Sequence, residues 1–292
     1  MSTQTLQNTH SSATVEIMTP IAAEAQKIGA GFEALSFNER QFSGLMDPLV
    51  MVDHFTMTEP TFGAHPHAGM SAVSMLFEDS TGKFNNRDSL GNDIDLLPGD
   101  LYWLKAARGA VHDEEPRPSS RTHALQIFVN LPADLKQSKA ESLHVRATDM
   151  PVIEGPGHKV RVVLGVSNGI KGAQSPTLPL TILDARLTAD GAFTHSLPSD
   201  KAVWIHPIQG EVNISLGGRE ISVSTRHAIA LRSGDVVQKL TVRSAAASQF
   251  VLIQGAPIRE SFIQKGPFVM STTDEVERVM ADHKAGRLGS ID

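Results

Sequence analysis

The chain is expected to be all-β, two tandem β-barrels closed by a short C-terminal helix. Three observations predict this. Short apolar or alternating runs such as "LVMVDHF", "SAVSMLFE", "HALQIFVNL", "KVRVVLG", "AVWIHPI" and "QFVLIQG" recur along the chain, separated by Gly, Pro, Asn and Asp. The two halves are loosely alike: "LLPGDLYWL" at 96–104 matches "LRSGDVVQKL" at 231–240, and "MLFEDSTGKF" matches "HPIQGEVNISL". Only the C-terminus has helical periodicity.

Taken in order, residues 1–13 are polar and predicted disordered. Residues 14–135 form a first barrel. The polar stretch "PADLKQSKAES" at 132–142 links it to a second barrel at 143–271. One large irregular β-domain is the competing architecture. In the tail, 272–292, Thr272 and Glu275 make a capping box. Val276, Val279, Met280 and His283 then follow at helical spacing, and Gly286 stops the helix.

Composition narrows the function. The 292 residues carry a net charge of -6, and the 26 basic residues form no cluster, which argues against a phosphate-binding surface. Without cysteine there is no disulfide, thiolate nucleophile or sulfur-ligated metal. No secretory leader or apolar run of membrane-spanning length is present, so a cytoplasmic protein is expected.

Two spacings carry chemistry. "FGAHPHAGM" puts His65 and His67 two apart, on one face if the backbone is extended. "GAVHDEEP" repeats the spacing with His112 and Glu114, and alternation sends Asp113 and Glu115 outward. Converging in one barrel, three imidazoles and a carboxylate suit iron, manganese, nickel, copper or zinc and leave positions open for a reactive ligand. Alone, each pair is equally compatible with a polar turn. His54, His123, His195, His206 and His227 stand singly, as core or edge histidines, and the second barrel reads as metal-free. Phe62, Met70, Met75 and Trp103 are candidates to line an apolar pocket, with plain core as the alternative for each.

In this order, "MDPLVMVDHF", "FGAHPHAG", "RDSLGNDIDLLPGDLYWLKAARGAVHDEEP", "LQIFVNLP" and "IQKGPFVMST" resemble the pirin family of the cupin superfamily over nearly the whole chain. The resemblance implies a bicupin with one iron in the first barrel, on His65, His67, His112 and Glu114, and an empty second barrel. It implies either a quercetin 2,3-dioxygenase, with Glu114 accepting the flavonol hydroxyl proton, or an iron-dependent redox sensor that binds a regulatory or metabolic protein. A small aromatic substrate or a protein is therefore the expected partner, not nucleic acid or membrane. A purely structural metal is a third reading. The chain departs from the family where Arg usually follows HPH, here Ala68, and where Met precedes the Pro of "HDEEP", here Glu115.

Overall fold

The computed structural model describes residues 15–291, so the expected disordered segment 1–13 lies outside the described residues. Strands dominate, and Thr273–Lys284 is the one α-helix among the described residues. Each half pairs a large sheet with a four-stranded sheet. In the first half the large sheet runs Glu141–Val145, Leu101–Lys105, Met70–Leu76, Thr122–Asn130, Leu49–Met57, Phe32–Asn38, Glu24–Ile28. Its partner runs His65–His67, Ala110–Pro116, Phe84–Asp88, Asp93–Leu96. The second half repeats the plan, as the paired PGD and SGD turns lead one to expect.

Strand alternation gives each large sheet two buried faces. On Leu49–Met57, residues Met51, Asp53, Phe55 and Met57 face into the first barrel. Val52 faces the opposite way, into a core shared by both halves. There Val73, Met75, Trp103, Leu125 and Ile127 of the first sheet meet Leu180, Trp204, Ala230 and Ile253 of the second. Each large apolar side chain buried in this way contributes about 1.5–3 kcal/mol, so the two barrels are fused back to back. The interiors differ. The second is filled by aliphatic side chains such as Val162, Leu183, Val203, Ile214 and Leu252. The first keeps an open cavity.

Three connections tie the halves together. Glu16–Ile17 and Ile21–Ala22 pair with His227–Arg232 of the second half, covering a strand that would otherwise present an open edge. Glu141–Val145 pairs with Leu101–Lys105, so the first sheet extends through the expected link. The C-terminal helix returns to the first barrel: Val276, Val279, Phe268 and Met270 pack on Ala68 and Val111. The Thr272–Glu275 capping box forms as expected, and Gly286 ends the helix at φ 72°. Among the described residues no helix is long and apolar enough to cross a membrane.

Candidate metal centre

His65–His67 pairs antiparallel with Ala110–Pro116, which places His112 directly opposite His65. The ring nitrogens converge: His112 Nε2 lies 3.0 Å from His67 Nε2 and 3.1 Å from His65 Nε2. His67 and His112 are buried, and His65 is partly exposed. His65 Nδ1 faces the Gly63 carbonyl at 2.8 Å and His67 Nδ1 faces the Pro267 carbonyl at 3.4 Å. A carbonyl only accepts, so both Nδ1 atoms carry the proton and both Nε2 atoms present lone pairs. Burial, with the neighbouring imidazole His65, pulls His67 down to about 3. Burial and the imidazoles of His67 and His65 push His112 well below its ordinary value.

The Nε2 atoms of three neutral imidazoles thus converge, those of His65 and His67 as lone pairs and that of His112 as either lone pair or N–H. A single N–H on His112 could satisfy only one of the other two at a time. A cation between them satisfies all three, and three nitrogen donors suit a borderline transition metal. The residues present therefore fit a metal.

Glu114 borders this cluster without closing it. It sits opposite Asn86, and its Oε1 accepts from the Ser74 hydroxyl and the Asn86 amide. Its Oε2 is 4.0 Å from His112 Nδ1, a buried nitrogen with no other partner among the described residues. Burial raises the Glu114 pKa, opposed by Ser74, His65 and Asn86. Asp113 does turn away from the cavity, yet not to solvent, because Arg87 covers it at 2.6 Å.

The backbone around His67 is held from behind. Gly69 has φ 74°, and a Cβ there would lie 1.9 Å from the Val269 carbonyl oxygen, so only glycine fits. The Lys136 ammonium bonds Gly69 O, Asn130 Oδ1 and Val269 O at 2.9, 2.6 and 2.7 Å.

The three imidazoles and Glu114 open onto a cavity of about 190 Å³, walled by Phe32, Phe55, Phe62, Phe84, Phe128, Met51 and Met57. Phe62 stands at the mouth, half exposed, edge-on to Phe32. Met70, Met75 and Trp103 do not line it, which corrects their place among the pocket candidates. Met75 and Trp103 lie on the opposite face of their strands, in the shared core. Met70 packs with Val50, Ala72 and Val269. Asp53 and Gln126 do line the cavity. The alternation of "LVMVDHFTM" was the available signal for Asp53.

Asp53 accepts from the Ser36 hydroxyl, and burial, opposed by that bond, pushes its pKa up to about 6. Between pH 4 and 6 the folded state therefore binds more protons than the unfolded chain, and stability falls as pH rises through that window. Asp53→Asn should consequently be more stable than the parent at pH 7.5 by about 2 kcal/mol. The advantage should fade as pH approaches 4. Urea unfolding at both pH values checks this, and equal midpoints at pH 7.5 would refute it.

The single histidines are not all isolated. His54 Nδ1 lies 3.0 Å from His206 Nε2 across the two barrels, and His54 Nε2 lies 2.7 Å from His123 Nε2. His123 Nδ1 meets Asp79, and His206 Nδ1 donates to the His227 carbonyl. Both nitrogens of His54 are thereby used, so this is a hydrogen-bonded chain and not a chelating set. Burial pulls His54 down to about 2 and His206 to about 4. Neither the partner nor the register of these residues was visible in sequence.

Comparison with known proteins gives a consistent result. The family model described as Pirin matches residues 24–129, and that described as Pirin C-terminal cupin domain matches 182–289. Human Pirin is 32% identical over 245 residues, covering 84% of this chain and 83% of its own length. The crystal structure of quercetin 2,3-dioxygenase from Acinetobacter baumannii superposes with a TM-score of 0.83 at 23% identity, over 96% of this chain and 100% of that one. A bacterial pirin from Escherichia coli in complex with nickel(II) superposes with a TM-score of 0.64 at 17% identity, over 84% and 100%. At these identities the two structures speak for the fold.

Proposed function

The chain belongs to the pirin family of cupins, and we propose that it is a metal-dependent dioxygenase opening a flavonol such as quercetin with O2. His65, His67 and His112, with Glu114 beside them, would hold one iron in the first barrel. The observation that carries this reading is the convergence of three imidazole Nε2 atoms at a cavity walled by five phenylalanines. A relative named "Putative quercetin 2,3-dioxygenase" from Pseudomonas aeruginosa, 30% identical over 254 residues, supports the substrate class, and a donor set of nitrogen and oxygen alone leaves nickel a competing ion.

Bound there, the metal supplies Lewis-acid and redox chemistry. The protein supplies the rest. The imidazoles stay neutral because burial disfavours their charged forms. Ser74 and Asn86 fix Glu114 through Oε1, so Oε2 is the oxygen that would bind the metal and, when displaced from it, would accept the substrate hydroxyl proton. The phenylalanine walls orient a flat ring and exclude water. An apolar cavity of about 150 Å³ is enough to hold benzene. At about 190 Å³ this one encloses a single substituted ring, so the rest of a flavonol lies beyond Phe62.

The test is metal content of protein purified without chelator, then anaerobic loading with Fe(II) and loss of quercetin absorbance in air. Stoichiometric metal, with turnover that disappears in Glu114→Gln, is the expected result. Stoichiometric metal without turnover would overturn the enzyme reading and favour a redox sensor that binds a protein partner. One observation favours that second reading: His67 bonds the Pro267 carbonyl, just before the strand Phe268–Met270 that precedes the C-terminal helix.

A further inference from the structure

A polar row crosses the apolar floor of the cavity. Ser36, Asp53, Gln126 and Ser74 occupy successive strands in direct register. The row is bonded at both ends. Ser36 donates to Asp53 Oδ1, and the single hydroxyl hydrogen of Ser74 goes to Glu114 Oε1, with Gln126 Oε1 at 3.0 Å as its alternative acceptor. It is broken in the middle. The bonds that hold Asp53 and Gln126 use Oδ1 and Oε1, and no hydrogen bond joins the two residues to each other among the described residues, although they are direct cross-strand neighbours lining the cavity. Such neighbours stand about 5 Å apart at Cβ.

We propose that Asp53 and Gln126 are the specificity-determining pair of this cavity, recognising a ring hydroxyl on the aromatic ligand. The acceptor and the donor stand side by side, and a hydroxyl is the small group that satisfies both at once. No cation pairs with Asp53 among the described residues, so its carboxylate is open to the ligand. The walls beside it, Phe55, Phe128 and Met51, offer a ring only apolar contact. A ligand lacking the hydroxyl leaves one carboxylate oxygen and one amide N–H facing it unmatched, which is the strongest way a small site rejects an analogue. The inference rests on the reading of this cavity as the substrate site. It adds that the enclosed ring carries a hydroxyl as well as the oxygen directed at the imidazoles.

The experiment is calorimetric binding of catechol, phenol, anisole and benzylamine to the metal-loaded protein under argon, with metal content measured on every sample. The parent should bind phenol and catechol at least about tenfold tighter than anisole. Asp53→Asn and Gln126→Met should each shrink that ratio towards one while keeping full metal content. A role confined to folding would weaken all the probes alike and leave the ratio intact. An unchanged ratio in both variants overturns the assignment while the cavity remains a ligand site. Preferential binding of benzylamine overturns it in favour of a cation site. No binding of any probe to the parent removes the substrate-site reading itself.

Discussion

His112→Ala is expected to abolish stoichiometric metal binding while the two barrels stay folded. His112 is the central imidazole, within 3.0 and 3.1 Å of the other two Nε2 atoms. Its removal leaves two nitrogens, and affinity should fall by more than the roughly 10–100-fold that loss of an outer-shell partner brings. The metal-free fold should change by no more than about 2 kcal/mol. Its Nδ1 has no hydrogen-bond partner among the described residues, so only the Nε2 side of the ring gives up a contact. In the metal-free state truncation removes the one imidazole N–H that can reach His65 Nε2 or His67 Nε2, a loss of one hydrogen bond within that range. A second readout follows from linkage. Metal at about 100 times its Kd should stabilise the parent by about 2.7 kcal/mol and leave the variant unmoved. His206→Ala, in the hydrogen-bonded chain between the barrels, should keep the parent's metal content. Full metal content in His112→Ala would remove these residues as the ligand set.

The halves of this picture were unequally legible. Two-residue spacing in "AHPHAG" and "GAVHDEEP" is enough to bring His65, His67 and His112 together, because side chains alternate along strands and one antiparallel pairing joins the segments. Alternation also separates Asp113 from Glu114, but it does not say whether the reverse face meets water or Arg87. Pocket walls were harder to read. Met75 and Trp103 are as apolar as Phe55 and Phe84, and only the fusion of two sheets back to back decides which face of a strand is core and which is cavity. Period-2 reading of "LVMVDHFTM" contains Asp53, Phe55 and Met57 on one face, yet that face cannot be assigned inward without its neighbours. Long-range partners were not legible at all. His54 and His206 meet across 152 residues, and nothing local marks either one. Lys136 shows the same limit most sharply: it lies in the most polar stretch of the chain and is 1% exposed.

Lys136→Met should be among the most damaging single changes outside the imidazoles. An ammonium has three N–H donors, and here three oxygens receive them. Burial pulls the group down to about 8, with Glu275 and Glu260 pulling it back, so it is charged at neutral pH. Methionine keeps the length of the stem but strands Gly69 O, Asn130 Oδ1 and Val269 O. One unsatisfied buried group costs about 1–3 kcal/mol, and partial relaxation brings the total to about 3–5 kcal/mol. The damage should also reach the metal. Lys136 ties the turn after His67 to the segment whose Pro267 carbonyl orients the His67 ring, and Ala68 and Val269 bond each other across the same seam. Loosening that seam removes an outer partner of a ligand, so metal affinity should fall roughly 10–100-fold. Lys136→Arg should not restore it, since a planar guanidinium cannot place its donors on three oxygens gathered around one nitrogen. Urea midpoints and metal competition with a chromophoric chelator measure the two effects separately. A lower midpoint with unchanged metal affinity would confine Lys136 to stability and cut the proposed link between the C-terminal segment and His67.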